Sequence, residues 1–143
     1  ALAVGGLSAP AVYRECDRLR VESGTPVPDP APREDLIAAL RAGDAPALGA
    51  AMTNDLQSAA LSLRPSLQAT LDAGTAAGAL GALVSGSGPT CAFLAADEAA
   101  ARTVARALEA SGTCRATRVA FGPVGGARVV PRFRNSEATP GAL

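Results

Sequence analysis

The sequence predicts an α+β domain, a split βαβ (ferredoxin-like) sheet with several extra helices packed on one face, and three observations predict it. Two short apolar runs, Leu80–Ser85 and Thr90–Ala96, flank a glycine-rich break. Stretches with apolar residues at three- and four-residue spacing stand before and after that pair, and an alternating run follows near the C-terminus. The order is strand, helices, strand, strand, helix, strand, which is the split βαβ order once the helices between the first two strands count as one.

Each element has a local reason. Ala1–Val4 is apolar, suits a buried strand, and is broken by Gly5-Gly6. Ser8 or its neighbour can cap a helix with Pro10 in its first turn, where a missing N–H costs nothing. Val12, Cys16 and Leu19 then share one helical face, while Arg14, Glu15, Asp17 and Arg18 face water. Residues 22–33 carry Pro26, Pro28, Pro30 and Pro32, an alternation that neither helix nor central strand tolerates, so an extended loop is expected. Helical spacing returns with Leu36, Ile37 and Leu40, ending near Gly43, then with Leu48 and Met52, and again with Leu56, Ala60 and Leu63. Pro65 opens a further helix bearing Leu67 and Leu71, with Gly74 or Gly78 as its stop. Asp97 caps the helix of Val104, Ala105 and Leu108, which Gly112 ends. Arg115–Phe121 alternates as a strand with one wet face, Ala127–Val130 suits a short last strand, and a disordered tail is expected over residues 132–143, leaving 1–131 as the domain.

Composition restricts the chemistry. The chain has 143 residues, one domain's worth, with 13 basic and 13 acidic side chains, and every basic one is arginine. A formal net charge of zero offers no field for a nucleic-acid backbone or an anionic membrane, so neither is expected as a partner. Without histidine there is no imidazole base; without lysine there is no Schiff base and no ammonium to sit on a phosphate. Cys16, Cys91 and Cys114 are too widely spaced for a metal or redox motif and are expected as reduced thiols of a cytoplasmic protein. No apolar run reaches 18 residues, and the start ALAVGGLSAP lacks the basic region of a signal peptide. A start without Met inside an apolar run hints at a fragment.

The segment Ser85-Gly86-Ser87-Gly88-Pro89-Thr90 is the most informative. Its two glycines permit positive φ and let backbone N–H groups approach an anion unobstructed, and Ser87 and Thr90 add hydroxyl donors. For an isolated Gly-x-Gly a tight strand connection is the better explanation, and it is the flanking apolar strands, the Pro-Thr pair and the following helix that make a longer signature. Asn54 and Asp55 precede a helix as a cap or a solvent-facing pair. Arg14 and Arg18 are a helical turn apart and close to acidic neighbours, Tyr13 is expected to pack, and the arginines 115, 118, 128, 132 and 134 lack the stacking residues of a nucleic-acid site.

At this point a family resemblance becomes visible. LGALVSGSGPTCAFLAA, the upstream Asn54-Asp55-Leu56-Gln57 and the early ALAVGGLSAPAVYRECDRL together resemble the C-terminal domain of GHMP-type small-molecule kinases, from about Ala1 to Val130. Within that superfamily they are most similar to an actinobacterial branch acting on a cytidine-diphosphate sugar alcohol. The resemblance implies ATP-dependent phosphorylation of that substrate's 2-hydroxyl, in the methylerythritol phosphate route to isoprenoids. It also implies that Gly86, Ser87, Gly88, Pro89 and Thr90 form the third, glycine-rich motif and contribute to ATP binding, and that Asn54 and Asp55 stand near the substrate. In the family, ATP and Mg²⁺ are held largely by an N-terminal domain with the loop Pro-x-x-x-Gly-Leu-Gly-Ser-Ser, a catalytic Lys and an Asp, none of which occurs here. The expectation is therefore a C-terminal half with no catalytic or metal-binding residue of its own, partnered by its own N-terminal ATP-binding domain and inactive alone. Gly88→Val is expected to lower turnover with little loss of thermal stability. A stand-alone ferredoxin-like small-molecule-binding or dimerisation module, or the same domain from another GHMP kinase, remains the alternative.

Overall fold

The computed structural model describes residues 1–24 and 26–129, and over them the chain forms six helices and one hairpin. In chain order these are α1 (Ala9–Ser23), α2 (Glu34–Ala42), α3 (Ala45–Ala51), α4 (Gln57–Leu63), α5 (Ser66–Ala76), β1 (Gly81–Val84), β2 (Cys91–Leu94) and α6 (Glu98–Ala110). The boundaries follow local chemistry. Asp44 and Asp97 cap α3 and α6 by accepting from the N–H groups of Ala47 and Ala100. Helix α5 runs through Gly74 and stops at Gly78, whose φ of +93° lets the N–H groups of Gly78 and Ala79 return to the carbonyls of Thr75 and Gly74. Ser8 occupies the N-cap position of α1, but its side chain makes no capping bond.

The core lies between one face of the hairpin and three helices. β1 and β2 pair antiparallel with Ala82 opposite Phe93 and Val84 opposite Cys91, and these four side chains share the inner face. Against them pack Val12 and Cys16 of α1, Ala59 and Ala60 of α4, and Leu67 and Leu71 of α5. The largest fully buried side chains are Leu67, Val12, Val84 and Cys91. Small residues make the approach possible. A Cβ at Gly74 would run into the Phe93 ring, and a Cβ at Gly81 would come within 2.7 Å of the Gly49 carbonyl oxygen, so glycine is what lets α5 and α3 sit this close to the hairpin.

Backbone hydrogen bonds extend the hairpin sideways. Ala1 and Cys91 exchange bonds through N and O, and Leu2 bridges Ala116 in antiparallel fashion. The spatial order is therefore β1, β2, the segment at Ala1–Leu2, then that at Arg115–Ala116, which places the first chain segment between the third and the last. The α+β class holds, but the two outer segments are a single bridge rather than the strands expected over Ala1–Val4 and Arg115–Phe121. After Leu2 the main-chain carbonyls meet side chains, with Arg115 Nε donating to that of Ala3 and an Arg64 guanidinium nitrogen to that of Val4, and Gly5-Gly6, with positive φ at Gly5, then turns the chain away; residues 117–121 join no ladder among the described residues. Residues 127–129 form no strand; Val130 and the tail expected over 132–143 lie outside the described residues. Tyr13 is 59% exposed rather than packed.

Helices α1 and α4 are also tied by polar contacts. The Glu15 carboxylate accepts from Arg18 on its own helix and from the Ser62 hydroxyl of α4 at 2.6 Å, and Arg18 reaches Glu22 rather than Asp17. These donors, Arg18 first, hold the Glu15 carboxyl down at about 2 against an ordinary 4.5. A depressed carboxyl contributes stability above its unfolded value and loses it as pH falls through the folded one, so this tie weakens between pH 4.5 and about 2. Glu15→Gln is expected to flatten the acid limb of a stability-against-pH curve over that window, lowering stability by a small constant amount above it and leaving it unchanged below.

Gly74→Ala tests the close packing of α5 on β2. The added methyl meets the Phe93 ring, and an overpacking loss of about 1–3 kcal/mol is expected in denaturant unfolding, despite alanine's higher helix propensity.

Candidate functional site

The six residues Ser85–Thr90 connect the most buried pair of the hairpin, Val84 and Cys91. The loop is pinned at its base, where Ser85 N–H donates to the Thr90 carbonyl at 2.7 Å and Gly88 N–H returns to the Ser85 carbonyl at 2.9 Å. Gly86 and Gly88 both have positive φ, +57° and +77°, and the Gly88–Pro89 peptide is cis. The two glycines have different surroundings. A Cβ at Gly86 would meet nothing, whereas one at Gly88 would lie 2.9 Å from a Val84 methyl, with Leu7 and Leu67 close behind. Gly88 is therefore part of the core wall, and Gly86 is the open position.

What remains free is a set of donors. The N–H groups of Gly86 and Ser87 and the hydroxyls of Ser87 and Thr90 take no protein partner among the described residues. Donors with no protein partner, on a loop whose base is buried, are available to an anion. Among the described residues no group of three His, Cys, Asp or Glu side chains stands close enough to hold a metal ion.

Asn54 joins this site and Asp55 does not. Asn54 Nδ2 donates to the carbonyls of Val84 and Gly86, at 2.6 and 2.8 Å, while its Oδ1 accepts from Leu56 N–H at 3.1 Å. Asp55 is exposed and lines a separate cleft of about 430 Å³ with Cys16, Leu19, Arg20 and Ser58. Gln57, which sequence reasoning left without a role, accepts from Val84 N–H at 3.0 Å. Its only signal in the sequence is a polar residue one helical turn after Asn54, and no spacing rule links that position to a strand 27 residues away. A larger apolar groove, about 500 Å³, runs between β2, α6 and residues 117–122, with Thr90 at its rim. Burial raises the Cys91 thiol, and all three cysteines are free.

A family model described as GHMP kinases C terminal matches residues 36–114, a span that contains Asn54, Gln57 and the whole glycine loop. The chain belongs to this family. Among curated proteins, this GHMP kinase C-terminal domain is 62% identical over 130 residues to the 4-diphosphocytidyl-2-C-methyl-D-erythritol kinase of Thermobifida fusca, covering 91% of this chain and 41% of that protein. It is equally 62% identical to the protein of the same name from Streptomyces avermitilis, over 91% of this chain and 43% of that one. The chain thus spans about two fifths of the length of these relatives. Among solved structures, homoserine kinase from Cytophaga hutchinsonii superposes with a TM-score of 0.57 at 21% identity, over 76% of this chain and 35% of that one, which shows a common fold.

The differing surroundings of the two loop glycines correct the expectation for Gly88→Val, because any side chain at Gly88 collides with Val84. Both positions pay for positive φ, so the difference isolates the collision. Gly88→Ala is expected to lower unfolding free energy by about 1–3 kcal/mol more than Gly86→Ala in parallel denaturant titrations.

Proposed function

We propose that this chain is the C-terminal portion of an ATP-dependent kinase that phosphorylates the 2-hydroxyl of 4-diphosphocytidyl-2-C-methyl-D-erythritol, in the non-mevalonate route to isoprenoids, in the cytoplasm. The observation that carries the reading is 62% identity across nine tenths of the chain to kinases of that name, with the glycine loop inside the matched span. The free donors of Gly86, Ser87 and Thr90 then serve a phosphate group of ATP.

The chain's share of the work is positioning and charge stabilisation. Phosphoryl transfer spreads negative charge over the phosphoryl oxygens, and preorganised N–H and O–H donors stabilise that charge without reorganising during the reaction. Ser87 and Thr90 are suited to that task, since their hydroxyls have no protein partner among the described residues. The cation and the base must come from elsewhere. With neither lysine nor histidine in its 143 residues, the chain supplies no ammonium for a phosphate and no imidazole for the substrate hydroxyl. These groups, and the Mg²⁺ that accompanies ATP in such chemistry, are assigned to an N-terminal ATP-binding domain, with which this one closes the active site.

The reading is tested on the full-length gene product containing this chain. ATP and 4-diphosphocytidyl-2-C-methyl-D-erythritol together are expected to give ADP and a phosphorylated alcohol, and homoserine is expected to give none; the reverse selectivity would assign the domain to another GHMP kinase. Ser87→Ala, which removes a hydroxyl with no protein partner, is expected to raise the KM for ATP about tenfold at an unchanged melting temperature. For the 143-residue chain alone, calorimetry is expected to find no ATP binding tighter than about millimolar, and micromolar binding would instead favour a self-sufficient nucleotide-binding module.

A further inference from the structure

We propose that Asn54 and Gln57 are positioning residues that aim the donors of the glycine loop, and that they act on the nucleotide through the loop rather than by touching the substrate. This rests on the reading that the loop faces ATP, and it departs from the expectation of a substrate-near Asn54-Asp55 pair.

The geometry begins at Val84. Ser85 and Thr90 form the hydrogen-bonded pair at the base of the loop, so the preceding pair, Val84 and Cys91, is a non-hydrogen-bonded one. The N–H and C=O of Val84 therefore point away from β2, toward the free edge of β1. An unpaired edge normally needs a neighbouring strand or a cover. Here two amide side chains at the start of α4 supply the bonds, with Gln57 Oε1 accepting from Val84 N–H and Asn54 Nδ2 donating to the Val84 carbonyl. The last residue before the loop is thus held on both polar groups by side chains from one helical turn.

The second Asn54 bond reaches the loop itself. Asn54 Nδ2 also donates to the Gly86 carbonyl at 2.8 Å. A trans peptide is planar, with its C=O and N–H on opposite sides, so holding the Gly86 carbonyl toward Asn54 directs the Ser87 N–H the other way. That N–H is one of the free donors. Gly86 is exposed and a Cβ there would meet nothing within 4 Å, so the Asn54 amide is the side-chain contact that orients this peptide. Asn54 uses three of its four hydrogen-bonding capacities, the third being the Leu56 N–H that starts α4, so loop and helix are registered through one side chain.

The test separates the tie from the helix cap. Asn54→Ser keeps an oxygen able to accept from Leu56 N–H but cannot reach both carbonyls. By hydrogen exchange on the 143-residue chain, the amides of Ser85 and Gly88 are expected to exchange about tenfold faster in Asn54→Ser, with the amides of α6 unaffected. In the full-length gene product the same change is expected to raise the KM for ATP about tenfold and leave the KM for the alcohol in place, whereas simple destabilisation lowers kcat through the active fraction and leaves both KM values alone. Gln57→Met is expected to raise the KM for ATP in the same direction, and Gln57→Glu, which still accepts from Val84 N–H, to recover most of it. Unchanged exchange in Asn54→Ser overturns the proposal, as does faster exchange with an unmoved KM for ATP. The Ser87→Ala variant shows which idea has failed. If it raises the KM for ATP and Asn54→Ser does not, only the positioning role falls; if neither raises it, the loop does not serve the nucleotide.

Discussion

The burial of Val84 against Cys91, roofed by Val12 and Leu67, is the contact on which the rest of this structure depends. The hairpin has only four residues in each strand, and an isolated hairpin of that size is marginal in water. Its inner pair becomes fully buried because α1, α4 and α5 converge on it with small and medium side chains. Fixing this pair fixes the two ends of the glycine loop, so the same contact that closes the core sets the span the loop must bridge. Among the described residues the buried core is alanine, valine, leucine and cysteine with no aromatic ring, which makes close helix approach more important than large side chains.

Close approach has a consequence for the glycines. Gly74, Gly49 and Gly81 are placed where a neighbour occupies the space of a Cβ, and Gly88 adds a positive φ to the same crowding. Gly86 differs, since a Cβ there would meet nothing within 4 Å. A glycine-rich motif therefore divides into a residue that serves the wall of the core and a residue that leaves room for something outside the protein. That division connects packing to function: the loop's base is as rigid as the core, while its tip exposes N–H and O–H groups that the fold itself does not use.

Electrostatics across the domain is local. The ion pairs Arg18–Glu15, Arg33–Asp35 and Arg102–Glu98 join residues close in sequence and partly open to solvent, so they contribute little to stability. Arginine has a second use at Arg64 and Arg115, which donate to main-chain carbonyls at the N-terminal segment. There the planar, multi-donor guanidinium satisfies main-chain acceptors at the segment where the sheet narrows to a single bridge.

Much of this was legible in the sequence, because it depends on near neighbours. Helical spacing, the stop at Gly78 and the cap at Asp97 act within a turn or two, and the hairpin follows from two apolar runs around a glycine break. The absence of lysine and histidine likewise bounds the chemistry at the level of composition. The tertiary structure decided what depends on distant partners. It reduced the alternating run at Arg115–Phe121 to one bridge, since alternation specifies a face but not a partner. It separated Asn54 from Asp55, neighbours in the chain that face different surroundings, and brought Asn54 and Gln57 to a strand edge about 30 residues away. Which glycine is crowded and which is open was also undetermined by the motif, because a glycine's conformational freedom is a property of its own backbone, whereas the space around it belongs to the residues packed against it.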